Sequence, residues 1–466
     1  MNNGYFYDAT VHNDTIIFVS DDDLWEVKTA GGAAQRLTAN LGRVSFPKIS
    51  PDGELIAFLG RESGVADLYL MPVCGGEATR LTFLGIDRVL GWKDKKTVVI
   101  ASSHKAANRG MGLLYEINIE KPEPKVIPVG PANRISWGEK GMVVIGRNCR
   151  DACYWKRYRG GTAGKLWVKE NTKAKFKQIL KKIQHALTDP TWFNGRIYFI
   201  SDHEGTANIY SVLQSGTGLK RHTHHDDFYV RGLNTDGEKI IYTAGADIYT
   251  FFPQKNIIEK IDITVKTSAV QAKTRFESAS EYLEDYDLIN DGSNIAFTSR
   301  GRLFMMPSWK GAPYVLGNQD EVRYKLTRWL NDEKHFVAAH TNEMGADELV
   351  IVDSEKRTVK KIAPKVSWGK IWSIVPNPEN DSIVVTNNRN EAWLVGTKRN
   401  HAQMIAREKF GRIITPSWSP DGKWLVYSAA TLCEHQYYIQ IYNTKTGRGR
   451  KLFTPVNMDI NPVFDP

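Results

Sequence analysis

The feature that most constrains this chain is a repeat. One unit of short β-type segments recurs about every 41 to 55 residues along the 466-residue sequence, the period range of four-stranded propeller blades. Its clearest copy begins at Phe46: FPKIS, the turn Ser50-Pro-Asp-Gly53, ELIAFLG, ADLYLMP, and then Gly75-Gly-Glu-Ala-Thr-Arg-Leu-Thr82. FPKIS reads as a short innermost strand. Pro-Asp-Gly supplies a tight turn, because glycine takes positive φ cheaply. LIAFLG is a continuous apolar run, as a strand buried between neighbouring blades requires, and ATRLT is a half-exposed outer strand.

The same order returns in FYDATV–IIFVSDDD–LWEV–AQRLT and in VVIAS–LLYEINI–KVIPV. It returns again in MVVIGR–KLWVKE–FKQIL, in IYFISD–NIYSV–LKRHT, and in KIIYTAG–DIYTFFP–IIEKIDI. Helical periodicity is nearly absent, with one helical turn expected near Lys175 to Ile183. After the sixth unit, the polar stretch TVKTSAVQAKTRFESAS reads as a linker. The repeat restarts at EDYDLINDGSNIAFTSRG, with further units beginning near Arg323, Ile371 and Ile414, and ends in MDINPVFDP, which reads as the innermost strand of a further blade. The expected fold is all-β: tandem β-propellers, a complete six-bladed ring over 1–263, a linker over 264–280, and an incomplete second propeller of four blades plus one strand over 281–466. The first unit holds its own innermost strand, so the first ring is expected to close by side-chain packing between first and last blades.

The net charge of +10 is spread along the whole chain, with one dense basic run at Lys173–Lys182. No RNA-binding signature, zinc finger or basic-zipper arm is present, so a nucleic-acid partner is not expected. No apolar stretch approaches the roughly 20 residues needed to span a bilayer, and the N-terminus lacks the basic and apolar regions of a secretory signal. Four cysteines do not make a disulfide framework. Reduced, packing cysteines and a cytoplasmic location are the reading.

A search for chemistry finds no catalytic constellation. There is no G-x-S-x-G elbow and no phosphate-binding loop; Gly31-Gly32 and Gly75-Gly76 read as hairpin turns. His222, His224, His225, Asp226 and Asp227 form the densest group of potential ligands, but adjacent residues do not readily converge on one ion. Asp21-Asp22-Asp23 reads as a hairpin tip, since a calcium loop needs spaced ligands. No metal and no cofactor is expected. One stretch departs from the blade pattern: an insertion between the second and third strands of unit four, Arg147 to Trp167, in which Tyr154, Trp155 and Tyr158 alternate with Lys156, Arg157 and Arg159 before a glycine-rich end. Such a loop either presents cations at a ring opening or braces itself by cation–π packing.

On these residues the sequence resembles the N-terminal part of tricorn-type proteases. The resemblance covers nearly the whole chain and rests on HNDTIIFVSDDDLWEV, VIGRN with YWKRYRGGTAGKLW, HTHHDDFYVRGLNTDG, and EYLEDYDLINDGSNIAFTSRG. It implies a six-bladed propeller, a seven-bladed propeller, a PDZ-like module and a serine-protease core, assembled as a cytoplasmic homohexamer that trims peptides. The rings would gate or channel peptide substrates and products. The family's catalytic groups have no positions to map onto in this chain, which leaves its own enzymatic status open. Members of the family also carry an Arg-Arg pair, in a loop after the second blade, that grips the substrate's terminal carboxylate. Here RLTFLGIDRVLGWKDKK offers a shorter loop with the single Arg88. The substrate-binding candidates are therefore Arg88, Arg157 and Arg159. The alternative reading is a free-standing propeller scaffold, similar to TolB, for protein–protein interaction.

Overall fold

The computed structural model describes residues 4–39, 41–108, 110–267, 273, 276–317, 322–398, 401–433, 436–452 and 458–465. The chain divides into two compact units, Met1–Thr274 and Arg275–Pro466. The first contains six antiparallel sheets whose strands follow chain order from the innermost outward. Their innermost strands are Tyr7–His12, Ser45–Ile49, Arg88–Asp94, Arg134–Trp137, Leu187–Phe193 and Arg231–Thr235.

The strand order follows from what each segment can bury. Ile56, Ala57, Phe58 and Leu59 of the second strand of blade two are wholly buried, because a propeller covers both faces of that strand. Ala57 and Leu59 pack toward blade three, and Ile56 and Phe58 toward blade one. Six apolar clusters of this kind fill the six junctions of the ring. Each such side chain is worth about 1.5–3 kcal/mol relative to exposure.

A buried polar brace explains why Arg-x-Thr recurs on the outer strands. In blade two the Asp67 carboxylate accepts from Arg80 Nη2 at 2.6 Å and from the Thr82 hydroxyl at 2.9 Å. Two main-chain amides also reach it, Leu84 N at 3.0 Å and Gly85 N at 3.2 Å. The Thr82 oxygen accepts from Leu68 N at 3.0 Å, closing the loop between third and fourth strands. Blade one repeats this with Asp23, Arg36 and Thr38. Blade five substitutes Asn208, which accepts from the Thr223 hydroxyl at 2.7 Å, while Arg221 turns to Glu204 at 3.1 Å. The Ser-Pro-Asp-Gly turns are built alike: the Ser50 hydroxyl donates to Asp52 at 2.6 Å and accepts from Leu55 N at 3.0 Å. Ser419 does the same for Asp421 and Trp424.

Ring closure uses more than side-chain packing. Phe6, Phe18, Trp25 and Val27 of blade one do pack against Ile241 and Ile248 of blade six. In addition, Ile263–Val265 runs parallel to Gly32–Ala34 as a fifth strand on the outer edge of blade one, and Phe6 N donates to Ala246 O at 3.0 Å. The stretch read as linker therefore begins with paired backbone at Thr264 and Val265. Its far end, Ala279–Tyr282, is a turn of 3-10 helix. The helical turn expected near Lys175 to Ile183 is not formed; Lys177–Gln178 is the outer strand of blade four, and its neighbours are extended or in turns.

The second unit has four sheets whose innermost strands begin at Leu283, Arg323, Ile371 and Ile414. Apolar clusters join its first blade to its second, second to third, and third to fourth. Among the described residues no cluster joins the first to the fourth. MDINPVFDP does not form the expected innermost strand: its described part makes one isolated bridge, Met458 to Tyr437. Of the cysteines, Cys149 is a buried packing residue, whereas Cys74 and Cys433 are exposed.

Candidate functional site: the axial channel of the first ring

The innermost strands of the first ring are not regular. Pairing slips between Tyr7 and Thr10, Ser45 and Lys48, Thr188 and Thr191, and Arg231 and Asn234. Each slip is a β-bulge with a residue at positive φ: Asp8 (50°), Phe46 (52°), Asp189 (47°) and Gly232 (66°). Three of these are not glycine, so the ring spends backbone strain to hold them. All four line the axial channel, a cavity of about 420 Å³.

Charged groups ring this channel. Arg134 Nε donates to Asp189 at 2.6 Å. Burial alone would push the Asp189 carboxyl up, but Arg134, Arg88 and Lys48 outweigh it and hold it at about 2. Asp8 accepts from Phe46 N at 3.1 Å; burial raises its pKa, with Arg88 and Lys48 opposing. Arg88 lies over the Phe46 ring, 4.1 Å from its centroid. Lys48 has its pKa brought down to about 8, by burial first and by the charge of Arg88 second. Among the described residues neither Lys48 nor Arg88 has a carboxylate in ion-pair contact. Lys48, Arg88 and Arg134 thus share the two carboxylates Asp8 and Asp189, and only Arg134 is in direct contact with one of them.

A second ion pair, outside the channel lining, fastens the insertion. Asp151 accepts from Arg231 Nε at 2.8 Å and forms an ion pair with its Nη2 at 2.8 Å, and Ala152 is buried among blade five and six residues. The insertion therefore starts on blade four and reaches blade six. Its root is fixed by Cys149, whose thiol donates to Leu187 O at 2.9 Å and is pushed up to about 12 by burial. Gly164 closes the root where a Cβ would lie 2.3 Å from that same carbonyl.

Of the sequence candidates, Arg88 is not on a loop: it opens the innermost strand of blade three and lines the channel. A charged residue ahead of an apolar run marks a strand entering a polar channel as readily as it marks a loop end. Arg157 and Arg159 are exposed on the insertion and are not among the residues lining the channel. Arg157 donates its main-chain N–H to Asp202, and Arg159 Nε donates to His185 Nε2 at 2.9 Å. Lys48, Arg134, Asp8 and Asp189 were missed. Their signal is a charged residue in the innermost strand of each blade, visible only once the blades are superposed. Two histidines of the cluster are taken up by packing: His222 is buried against Tyr198 and Phe251 and bonded to Ser211 Oγ at 2.7 Å, and His225 meets the Tyr242 hydroxyl at 3.1 Å; His224, Asp226 and Asp227 are exposed.

Comparison with known proteins fits this architecture. Residues 3–256 match the tricorn protease N-terminal beta propeller domain, and residues 283–466 match the tricorn protease second beta propeller domain. The tricorn protease of Thermoplasma acidophilum is 31% identical over 472 residues, 98% of this chain and 43% of the relative. A crystal structure of the tricorn protease superposes with a TM-score of 0.68 at 28% identity, covering 97% of this chain and 45% of that one. In Sulfurisphaera tokodaii the matches are two chains, a Tricorn-like protease N-terminal subunit (32% identical, 35% of this chain, 86% of the relative) and a C-terminal subunit (29% identical, 59% of this chain, 31% of the relative). The chain spans about two fifths of the length of the curated relatives it matches over nearly all its own length. With six blades, a charged axial channel and both propeller domains in order, this chain belongs to the tricorn protease family.

Proposed function

We propose that this chain is the non-catalytic propeller portion of a tricorn-like serine protease, and that the axial channel of its first ring gates peptides by their carboxylates. The observation that supports this is the pair Lys48 and Arg88, two cations in a 420 Å³ channel with no ion-pair partner among the described residues. A carboxylate entering the channel meets charge-assisted donors whose hydration is already reduced, each worth about 1.5–3 kcal/mol. In this reading the PDZ and protease modules act on the same peptides, either in the same polypeptide or on another chain, as the separately named subunits of the Sulfurisphaera relative suggest. A homo-oligomer, hexameric by family likeness, and a cytoplasmic location belong to the same proposal; among the described residues no helix is long and apolar enough to cross a membrane.

The test is calorimetric binding of short peptides with free or amidated C-termini. Free-acid peptides should bind the wild type at least tenfold more tightly than amides, and Lys48→Met with Arg88→Met should abolish that difference. Because the Lys48 ammonium loses its proton near pH 8, the preference should shrink as pH rises through 8 to 9. Equal binding of acid and amide at pH 7 would overturn the proposal. Arg157 and Arg159, outside the channel, should leave the preference unchanged when replaced.

A further inference from the structure

The insertion of blade four carries a surface that the channel does not use. Arg150, Lys156 and Arg157 are all exposed within eight residues of one another, and among the described residues none makes an ion pair. Beside them, Tyr154 and Trp155 are 58% and 47% exposed. This strap is not a loose loop: Asp151 to Arg231, Ala152 in the core, and the Arg157 amide to Asp202 fasten it across blades four, five and six. A fastened backbone spares a partner the cost of ordering the loop on binding, which favours an efficient contact surface.

An apolar pocket adjoins the strap. Its cavity of about 250 Å³ lies between Tyr5, Phe228, Tyr229, Cys153 and Lys156, with Gly245 in its wall. Phe228 is 55% exposed although its ring rests on Gly245, where a Cβ would come within 2.6 Å of it. The Lys156 ammonium sits 5.1 Å from the Tyr229 centroid at the pocket's edge. Exposed aromatic rings and arginine around a small apolar pocket are the composition of interface hot spots.

We infer that this strap and pocket form a docking site for an acidic segment of another polypeptide, one that places an aromatic side chain in the pocket and its carboxylates on Arg150, Lys156 and Arg157. Charge complementarity argues for the acidic partner, since unpaired cations on a rigid surface are satisfied best by fixed carboxylates. One observation favours a polypeptide over single-stranded nucleic acid. Arg150 already covers Tyr154 and Trp155, at 4.9 and 5.4 Å from their centroids, so those ring faces are not free for stacked bases. Asp227 also lines the pocket, together with Lys156 and Arg231. The site is independent of the peptide-gating proposal, because its cations do not line the channel.

The test uses the full chain and (Glu)3-Phe-(Glu)3-amide carrying fluorescein on its N-terminus, followed by anisotropy at low and physiological salt. Binding should weaken at least tenfold in a variant combining Arg150→Gln, Lys156→Gln and Arg157→Gln, which removes charge from exposed positions and leaves the thermal transition in place. Replacing the peptide's Phe by Ser, or Phe228→Ser in the protein, should each weaken binding severalfold. Lys48→Met with Arg88→Met should leave it unchanged. Three results would overturn the inference: binding that survives the triple variant, a fifteen-residue oligothymidylate that binds more tightly than the peptide, or self-association in sedimentation that the triple variant abolishes, which would make the occupant a second copy.

Discussion

Removing the Asp67 carboxylate is the sharpest test of what holds a blade together. Asp67 is wholly buried and accepts four hydrogen bonds, from Arg80, Thr82, Leu84 N and Gly85 N, at 2.6 to 3.2 Å. Asp67→Ala leaves the part-buried Arg80 guanidinium without its anion and strands the Thr82 hydroxyl and two main-chain donors. Breaking one side of a buried pair costs about 3–5 kcal/mol, and a stranded buried donor about 1–3 kcal/mol. Solvent reaches Arg80, whose side chain is 22% exposed, so a net loss of about 3–4 kcal/mol is expected. Asp67→Asn provides a graded control, because blade five already uses Asn208 in this place with its own Thr223 and main-chain contacts. It keeps one acceptor oxygen and loses the charge, for an expected loss of about 1–2 kcal/mol. Urea unfolding followed by tryptophan fluorescence, with hydrogen exchange at the blade-two amides, reads both. A loss below about 1 kcal/mol for Asp67→Ala, or an Asn variant as damaged as the Ala variant, would refute the brace as the source of the repeated Arg-x-Thr.

His222 is buried and its pKa is brought down to about 4, chiefly by burial. The unfolded chain therefore binds the proton first, and stability present above about pH 6.5 should fall as pH drops toward 4, by up to about 3 kcal/mol; His222→Gln should flatten that limb, and an unchanged pH profile would count against it. Gly164→Ala places a methyl against Leu187 O, so it should loosen the strap and raise the reactivity of Cys149 toward a thiol reagent, which is otherwise buried. Trp92→Phe removes the indole donor to Lys48 O at 2.8 Å, which staples blade three to blade two; a loss of about 1 kcal/mol in urea unfolding is expected.

Much of the architecture was legible because a propeller writes its period into the chain. The second-unit strands starting at Arg323, Ile371 and Ile414 appear where the apolar runs and turns put them. What escaped depends on partners distant in sequence. Ile263–Val265 is three residues beside a polar stretch, and only Gly32–Ala34, more than 200 residues earlier in the chain, makes it a strand. The bulges at Asp8, Phe46 and Asp189 are register events, defined by the neighbouring strand and invisible in either strand alone. Lys48 reads within FPKIS as ordinary polar alternation, and Asp189 within LTDPTWF as a turn residue. Their meaning appears only when six innermost strands face a common axis. Arg157 and Arg159 were legible as exposed cations on an aromatic insertion; that the insertion is fastened to blade six through Asp151 was not.

Whether the first ring's channel receives peptide carboxylates can be settled by locating a bound peptide. Crystals of this chain soaked with a short peptide ending in 4-iodophenylalanine as the free acid would give an anomalous signal from the iodine. A peak is expected in the axial channel, with the terminal carboxylate in hydrogen-bond contact with Lys48 Nζ and Arg88, and none from the amidated peptide. Iodine bound outside the channel, or the same peak from the amide, would contradict it.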